Sequence, residues 1–109
     1  MRLDELLVLD VRSLEEYEGS HGAPCDPRQG HIPGALHLRL DELLVLPDEA
    51  LRSRLGLPAG GEVVAYCHSG SRSALAVEVL ERLGYTARNY LGSWHEWSRT
   101  ELPLEASAG

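Results

Sequence analysis

A cysteine followed by a short polar loop is the part of this 109-residue sequence best suited to chemistry. Cys67 follows a largely apolar run at residues 62–66 and precedes residues 74–83, which have the apolar spacing of a helix. Where a strand meets a helix N-terminus, backbone N–H groups converge and the helix dipole favours an anion. A thiol placed there typically has its pKa lowered from about 8.5 to between roughly 3.5 and 7.5. The sequence therefore predicts a nucleophilic Cys67 thiolate, in a loop outside the core.

The residues after Cys67 suit the binding of an anionic substrate. Gly70 permits the turn that such a loop needs, and the other loop residues are expected to act chiefly through their backbone N–H groups. Arg72 has two open roles, contact with a substrate anion or a bridge to a carboxylate that stabilises the loop. His68 is adjacent in sequence to the nucleophile and poorly aimed to act as a general base. The predicted substrate-binding residues are His68, Ser69, Gly70, Ser71, Arg72 and Ser73.

Asp10 and Arg12 are predicted to support this site. They follow a buried strand at the end where parallel-sheet proteins place their functional crevice. For Arg12 a structural role is favoured, either an ion pair with Glu16 or a contact with the backbone of a loop. Trp94 and Trp97 are expected to pack in the core or at its rim, with Trp94 the candidate for lining a pocket.

The elements that must position these residues can be read from the apolar pattern. Runs at residues 6–11 and 63–66 predict buried strands of a parallel sheet, and residues 86–90 predict another strand. Helices are expected after the capping box of Ser13, over residues 49–55 where Asp48 after Pro47 opens a helix, and over residues 74–83 before Gly84. The alternation of strands and helices predicts an α/β fold.

Two further stretches of the sequence call for different interpretations. The octamer RLDELLVL occurs at residues 2–9 and again at 39–46, but the flanking residues differ, so we expect a different structure in each copy. Residues 19–30 have no apolar period and are predicted to form a surface loop. Cys25 in that loop is interpreted as an ordinary surface thiol rather than a resolving cysteine.

Length, charge and cysteine usage exclude several classes of protein. A chain of 109 residues with 43% hydrophobic and 25% charged residues fits one globular domain. The net charge of −7 opposes binding to nucleic acid or to an anionic membrane. No stretch approaches the roughly 18 apolar residues of a membrane span, and a signal peptide is not expected. Two cysteines without zinc-ligand spacing indicate a cytoplasmic protein with no disulfide framework, metal or organic cofactor.

Four stretches resemble the motifs of the rhodanese sulfurtransferases. CHSGSRS at residues 67–73 is similar to the active-site loop of that family, and LDVRSLEEY at 9–17, GHIPGA at 30–35 and YLGSWHEW at 90–97 are similar to its other motifs, in the same order. Leu91 departs from the small, acidic or proline residue usual there. The resemblance implies a three-layer α/β fold, with helices flanking a small, mostly parallel sheet. It also implies a single rhodanese domain over residues 1–109, with a flexible tail at 105–109.

The N-terminus is shorter than in most members of this family, which begin with a strand and a helix before the Asp-x-Arg motif. Here nine residues precede Asp10. The shortening would leave a sheet edge exposed, so we expect a monomer or a weak homodimer paired through that edge.

The resemblance implies a sulfurtransferase in which Cys67 carries sulfur as a persulfide. The donor would be thiosulfate or a similar small anion, and the acceptor a thiophilic group such as cyanide or a thiol. Thiosulfate-specific two-domain relatives carry Lys at the position of Ser69 and Arg at that of Glu16. Mercaptopyruvate-type relatives carry Ser at the position of Ser69, as here, but Thr at that of Arg72, so the donor stays open. One alternative is a cysteine phosphatase or arsenate reductase, whose loop needs one more residue between Cys and Arg than the four found here. The other is a non-catalytic rhodanese interaction module, which commonly lacks the cysteine.

Overall fold

A parallel sheet with a helix after each strand organises the computed structural model, which describes residues 6–20, 26–58, 60–100 and 102. The strands of this sheet are β1 (Leu6–Asp10), β2 (Leu36–His37), β3 (Glu62–Tyr66) and β4 (Thr86–Asn89). The helices are α1 (Leu14–Glu18), α2 (Leu40–Val45), α3 (Asp48–Leu55), α4 (Ser71–Arg82) and α5 (Ser93–Trp97). The strand order is β2-β1-β3-β4, and every pairing is parallel. The predicted α/β class is therefore confirmed.

The central strands β1 and β3 separate two apolar layers. Leu9 and Ala65, which are register partners, are fully buried on the face that α2, α3 and α4 cover. Side chains alternate along a strand, so Val8 and Tyr66 point to the opposite face, where they pack with Trp94 of α5. Helices therefore flank the sheet on both faces, as expected for a three-layer arrangement.

The helix boundaries follow local signals in the sequence. The Ser13 hydroxyl accepts from the Glu16 N–H at 3.2 Å and the Glu16 carboxylate accepts from the Ser13 N–H at 3.1 Å, which confirms the predicted capping box. Helix α4 buries Ala76, Val79 and Leu80, and Gly84 has a φ of 98° just after it ends. Helix α4 begins three residues before its apolar pattern, because its first turn belongs to the loop that follows Cys67.

The two copies of the octamer differ in structure, as expected. Residues 6–9 of the first copy lie in β1, where hydrogen bonds to β2 and β3 hold them extended. The corresponding residues 43–46 of the second copy end α2, and Pro47 then caps α3. Identical side chains thus adopt the conformation that their neighbours in space can pair or pack against.

Residues 26–30 form a loop, as predicted for residues 19–30, but only part of it lies at the surface. Asp26 and Gly30 are buried, and the Trp94 indole donates to the Arg28 carbonyl at 3.0 Å. A polar, glycine-rich composition excludes regular secondary structure here, but it does not prevent the segment from packing on α5.

Cys25, the residues before Leu6 and the tail at 105–109 lie outside the described residues. None of the described helices is long and apolar enough to span a membrane.

Candidate functional site

Cys67 lies directly after β3, in the tight loop that leads into α4. Its side chain is fully buried and belongs to the same apolar cluster as Leu9 and Ala65. The expectation that this cysteine lies outside the core is therefore wrong. Side chains alternate along a strand, so residues 63, 65 and 67 point to the same side of the sheet. The Cys67 side chain therefore packs in the main core with Val63 and Ala65.

The thiol of Cys67 is surrounded by hydrogen-bond donors from its own loop. Its Sγ lies 3.1 Å from the Gly70 N–H nitrogen, 3.4 Å from that of Ser73 and 3.3 Å from the Ser73 hydroxyl. Burial raises the pKa of the thiol, but these donors and the Ser69 N–H outweigh it, so the pKa lies below its ordinary value. The loop is therefore built to stabilise negative charge on sulfur.

Asn89 at the end of β4 holds this loop in place. Its Nδ2 donates to the Gly70 carbonyl at 2.9 Å, which leaves Oδ1 to accept from the Ser73 hydroxyl at 2.6 Å. A hydroxyl has one proton, so Ser73 cannot donate to Asn89 and to Cys67 at once. The shorter contact is to Asn89, and we therefore assign most of the stabilisation of the thiolate to the backbone N–H groups.

The segment around α5 fixes the backbone of Cys67 and His68. The N–H groups of Trp94 and His95 donate to the carbonyls of Cys67 and His68, each at 2.8 Å. The Ser93 hydroxyl accepts from the Cys67 N–H at 3.1 Å, and Ser93 adopts a left-handed φ of 50° to do so. The sequence signal for this role of Ser93 is its place in the YLGSWHEW stretch, which by itself did not single the residue out.

Gly70 could not be replaced without strain in the loop. It has a φ of 97°, and an added Cβ would stand 2.9 Å from the Leu91 carbonyl oxygen. Both the backbone conformation and the close approach of residue 91 require glycine here. The turn predicted for Gly70 is confirmed.

Arg72, at the start of α4, forms a two-pronged ion pair with Glu16 of α1. The Nη1–Oε1 distance is 2.9 Å and the Nη2–Oε2 distance is 3.2 Å. Burial raises the pKa of Glu16, but hydrogen bonds from Arg72 and Ser13 overcome this effect and lower it to about 2. Of the two roles open for Arg72, the structure shows the bridge to a carboxylate.

Asp10 and Arg12 form a second, fully buried ion pair at the end of β1. The Arg12 Nη2 lies 2.8 Å from Asp10 Oδ2 and 2.5 Å from the Gly30 carbonyl oxygen. The guanidinium also lies over the rings of Tyr66 and Trp94. The backbone contact expected for Arg12 is thus present, and its ion-pair partner is Asp10 rather than Glu16. Asp10 and Arg12 tie β1 to the loop that precedes β2.

Similarity to known proteins agrees with this geometry. Residues 1–100 match the family described as "Rhodanese-like domain". The chain belongs to the rhodanese-like domain family. The thiosulfate sulfurtransferase of Corynebacterium glutamicum is 38% identical over 117 residues, which cover 92% of this chain and 38% of that protein. The sulfur carrier protein TtuD of Thermus thermophilus is 38% identical over 108 residues, which cover 83% of this chain and 37% of that protein.

Among solved structures, a "Probable Thiosulfate Sulfurtransferase" superimposes on this rhodanese-like domain with a TM-score of 0.83 and 55% sequence identity. The match covers 91% of this chain and 42% of the solved chain. The domain thus spans less than half the length of these relatives.

The motifs of this rhodanese-like domain come together at the carboxyl ends of the strands of its sheet. Asp10 ends β1, Gly30 lies in the loop before β2, Cys67 follows β3 and Ser93 follows β4. The carboxyl ends of parallel strands all lie on the same side of the molecule, so stretches that are far apart in sequence come together there.

A group of three side chains with metal-ligating atoms lies beside Cys67, and the sequence spacing did not predict it. The ligand atoms of Asp26, His68 and His95 lie within 4.8 Å of one another. The Asp26 carboxylate is 2.9 Å from His68 Nε2 and 3.0 Å from Arg99 Nη1, and the same Nη1 is 3.2 Å from His95 Nδ1. These residues could hold a metal ion, but the guanidinium of Arg99 already places a positive charge among them.

An apolar groove of about 440 Å³ runs along the sheet face opposite the main core. Trp97 lines this groove, whereas Trp94 is fully buried beneath it. The two tryptophans thus pack in the core and at its rim, as expected, and Trp97 rather than Trp94 lines the groove.

Proposed function

We propose that this domain is a sulfurtransferase that carries sulfane sulfur on Cys67. The observation that supports this most directly is the ring of N–H donors around Sγ, which lowers the pKa of the thiol. The same donors would stabilise a persulfide anion at this position. The names of two relatives, a thiosulfate sulfurtransferase and a sulfur carrier protein, agree with this chemistry.

The reaction would proceed in two stages. In the first, the Cys67 thiolate attacks the outer sulfur of the donor, the S–S bond of the donor breaks, and its electron pair leaves on the remaining fragment, which is sulfite for thiosulfate. In the second, a thiophilic acceptor such as cyanide or a thiolate attacks the outer sulfur of the persulfide and releases the Cys67 thiolate. No step requires a metal or an organic cofactor, and a reducing compartment such as the cytoplasm would keep the thiol active.

Each predicted site residue has a place in this scheme. The loop of His68, Ser69, Gly70, Ser71, Arg72 and Ser73 would bind the donor, mainly through N–H groups that face the sulfur. Asp10 and Arg12 would act as positioning residues, since they hold the neighbouring strand end and not the reacting atoms.

The ion pair of Arg72 argues against phosphatase or arsenate reductase chemistry. Such enzymes need an arginine whose guanidinium is free to bind the oxyanion. Here both terminal nitrogens of Arg72 donate to the Glu16 carboxylate. A purely non-catalytic module would have no need for the donors that surround Cys67.

Intact-mass spectrometry after incubation with thiosulfate tests the proposal. The wild-type chain should gain about 32 Da, the mass of one persulfide sulfur, and lose it when cyanide is added. Cys67→Ser should not gain this mass, whereas Cys25→Ser, the matched control for the other cysteine, should gain it like the wild type. A Cys67→Ser chain that still acquires and transfers sulfur would exclude Cys67 as the carrier.

A further inference from the structure

The pairing of Arg72 with Glu16 bears on the kind of donor that this site accepts. We propose that Glu16 is a specificity-determining residue that disfavours the thiosulfate dianion and favours a persulfide carried on an organic thiol. This inference rests on the proposed sulfur transfer at Cys67 and names its donor class.

The carboxylate of Glu16 is held by α1 as well as by Arg72. One of its oxygens, Oε1, also accepts from the Ser13 N–H and hydroxyl, each at 3.1 Å, because Glu16 closes the capping box of α1. The pair therefore forms part of the folded helix end rather than a loose surface contact. A donor anion that used Arg72 would have to compete with this preorganised carboxylate.

The other arginines near Arg72 are compensated as well. Arg12, Arg39 and Arg72 line one cavity of about 380 Å³ between β1, α2 and α4. Arg12 pairs with Asp10, and Arg39 lies 3.4 Å from Asp41. With a net charge of −7 on the chain, no uncompensated arginine among these three remains to attract a dianion.

Two exposed leucines lie close to the loop. Leu75 follows Arg72 by three residues on α4, where side chains share a face, and it is 48% exposed. Leu91, whose carbonyl approaches Gly70, is 74% exposed. Apolar side chains beside a neutralised arginine favour a donor with a carbon skeleton over a small inorganic dianion.

The transfer from such a donor balances without another reactant. The Cys67 thiolate attacks the outer sulfur of R–S–SH, the donor S–S bond breaks, and its electron pair leaves on the thiolate R–S⁻. The proton stays on the transferred sulfur, which is now bound to Cys67.

Rapid-quench intact-mass measurements can separate the two donor classes. We would compare the rate constant for persulfide formation on Cys67 from thiosulfate with that from 2-hydroxyethyl persulfide. Glu16→Gln keeps a capping-box residue but removes the charge, and it should raise the thiosulfate-to-persulfide ratio about tenfold. Glu15→Gln, the matched control, removes the same charge from an exposed neighbour and should change the ratio less than about twofold.

Glu16→Ala distinguishes charge from helix capping, since it removes both. It should shift the donor ratio as far as Glu16→Gln does, while lowering the melting temperature further. An unchanged ratio in both variants, or an equal shift in Glu15→Gln, would overturn the assignment of Glu16 while leaving sulfur transfer intact. Failure of the wild type to form a persulfide from either donor would overturn the proposed function and this inference together.

Discussion

Cys67 combines two opposing effects on a single thiol. The sulfur is fully buried, which disfavours its charged form, yet it faces the N–H groups of Gly70 and Ser73. Burial also removes water that would compete for those donors, so each hydrogen bond to the thiolate gains in strength. The balance favours a thiolate that is stabilised by the protein backbone.

The ultraviolet absorbance of the thiolate, followed against pH, tests this balance. The titration midpoint of Cys67 should lie below the ordinary pKa of a cysteine, with Cys67→Ser as the blank. Ser73→Ala should raise the midpoint only modestly, because the Ser73 hydroxyl donates mainly to Asn89 and the backbone donors remain. A midpoint at or above the ordinary value would contradict the stabilised thiolate.

The loop after β3 depends on three other elements for its shape. Asn89 of β4 holds the Gly70 carbonyl, the first N–H groups of α5 hold the carbonyls of Cys67 and His68, and α1 holds Arg72 through Glu16. Gly70 is the point at which the chain must approach residue 91 closely. The loop is thus fixed by its surroundings, and small changes at Gly70 should affect both folding and activity.

Gly70→Ala should lower the free energy of unfolding by about 2 kcal/mol or more, because it adds a steric clash to an unfavourable φ. Gly84→Ala is a matched control at the other end of α4, with a φ of 98° and no atom within 4 Å of the added Cβ. It should show the cost of the conformation alone, about 1 kcal/mol. Urea unfolding measures the free energy of unfolding of each variant. If both variants lose the same amount, the contact with Leu91 does not contribute.

Across the whole molecule, acidic residues outnumber basic ones by 17 to 10. Two of the carboxylates form ion pairs with arginines close to Cys67. Asp10 and Glu16 each hold an arginine beside the candidate site. Strand β4 forms one edge of the sheet, and pairing of two copies through such an edge stays a prediction. The distribution of charge thus links the stability of the fold to the chemistry of the loop.

Acid unfolding should report the contribution of Glu16. Its pKa is lowered from 4.5 to about 2 in the folded chain, so its stabilisation is complete above about 4.5 and is lost as the pH falls through about 2. Arg72 is 37% exposed, so screening limits the contribution of the pair to about 1 kcal/mol. The stability difference between wild type and Glu16→Gln should shrink over this pH range, and a constant difference would contradict the ion pair.

The local features of this protein can be read from its amino-acid sequence. Apolar runs predict β1 and β3, the capping box predicts α1, and four motifs in family order indicate the rhodanese-like fold. That Cys67 is the nucleophile stays a prediction. These features depend on residues close together in the chain, or on motifs that can be recognised one at a time.

Contacts between side chains that are distant in sequence follow from the folded structure alone. The fold paired Glu16 with Arg72 rather than with Arg12, placed Asp26 beside His68 and His95, and turned Trp97 rather than Trp94 towards the groove. It also assigned a strand and a helix to the two copies of one octamer. Such outcomes depend on packing and charge compensation between segments that fold against one another, and no local pattern in the sequence encodes them.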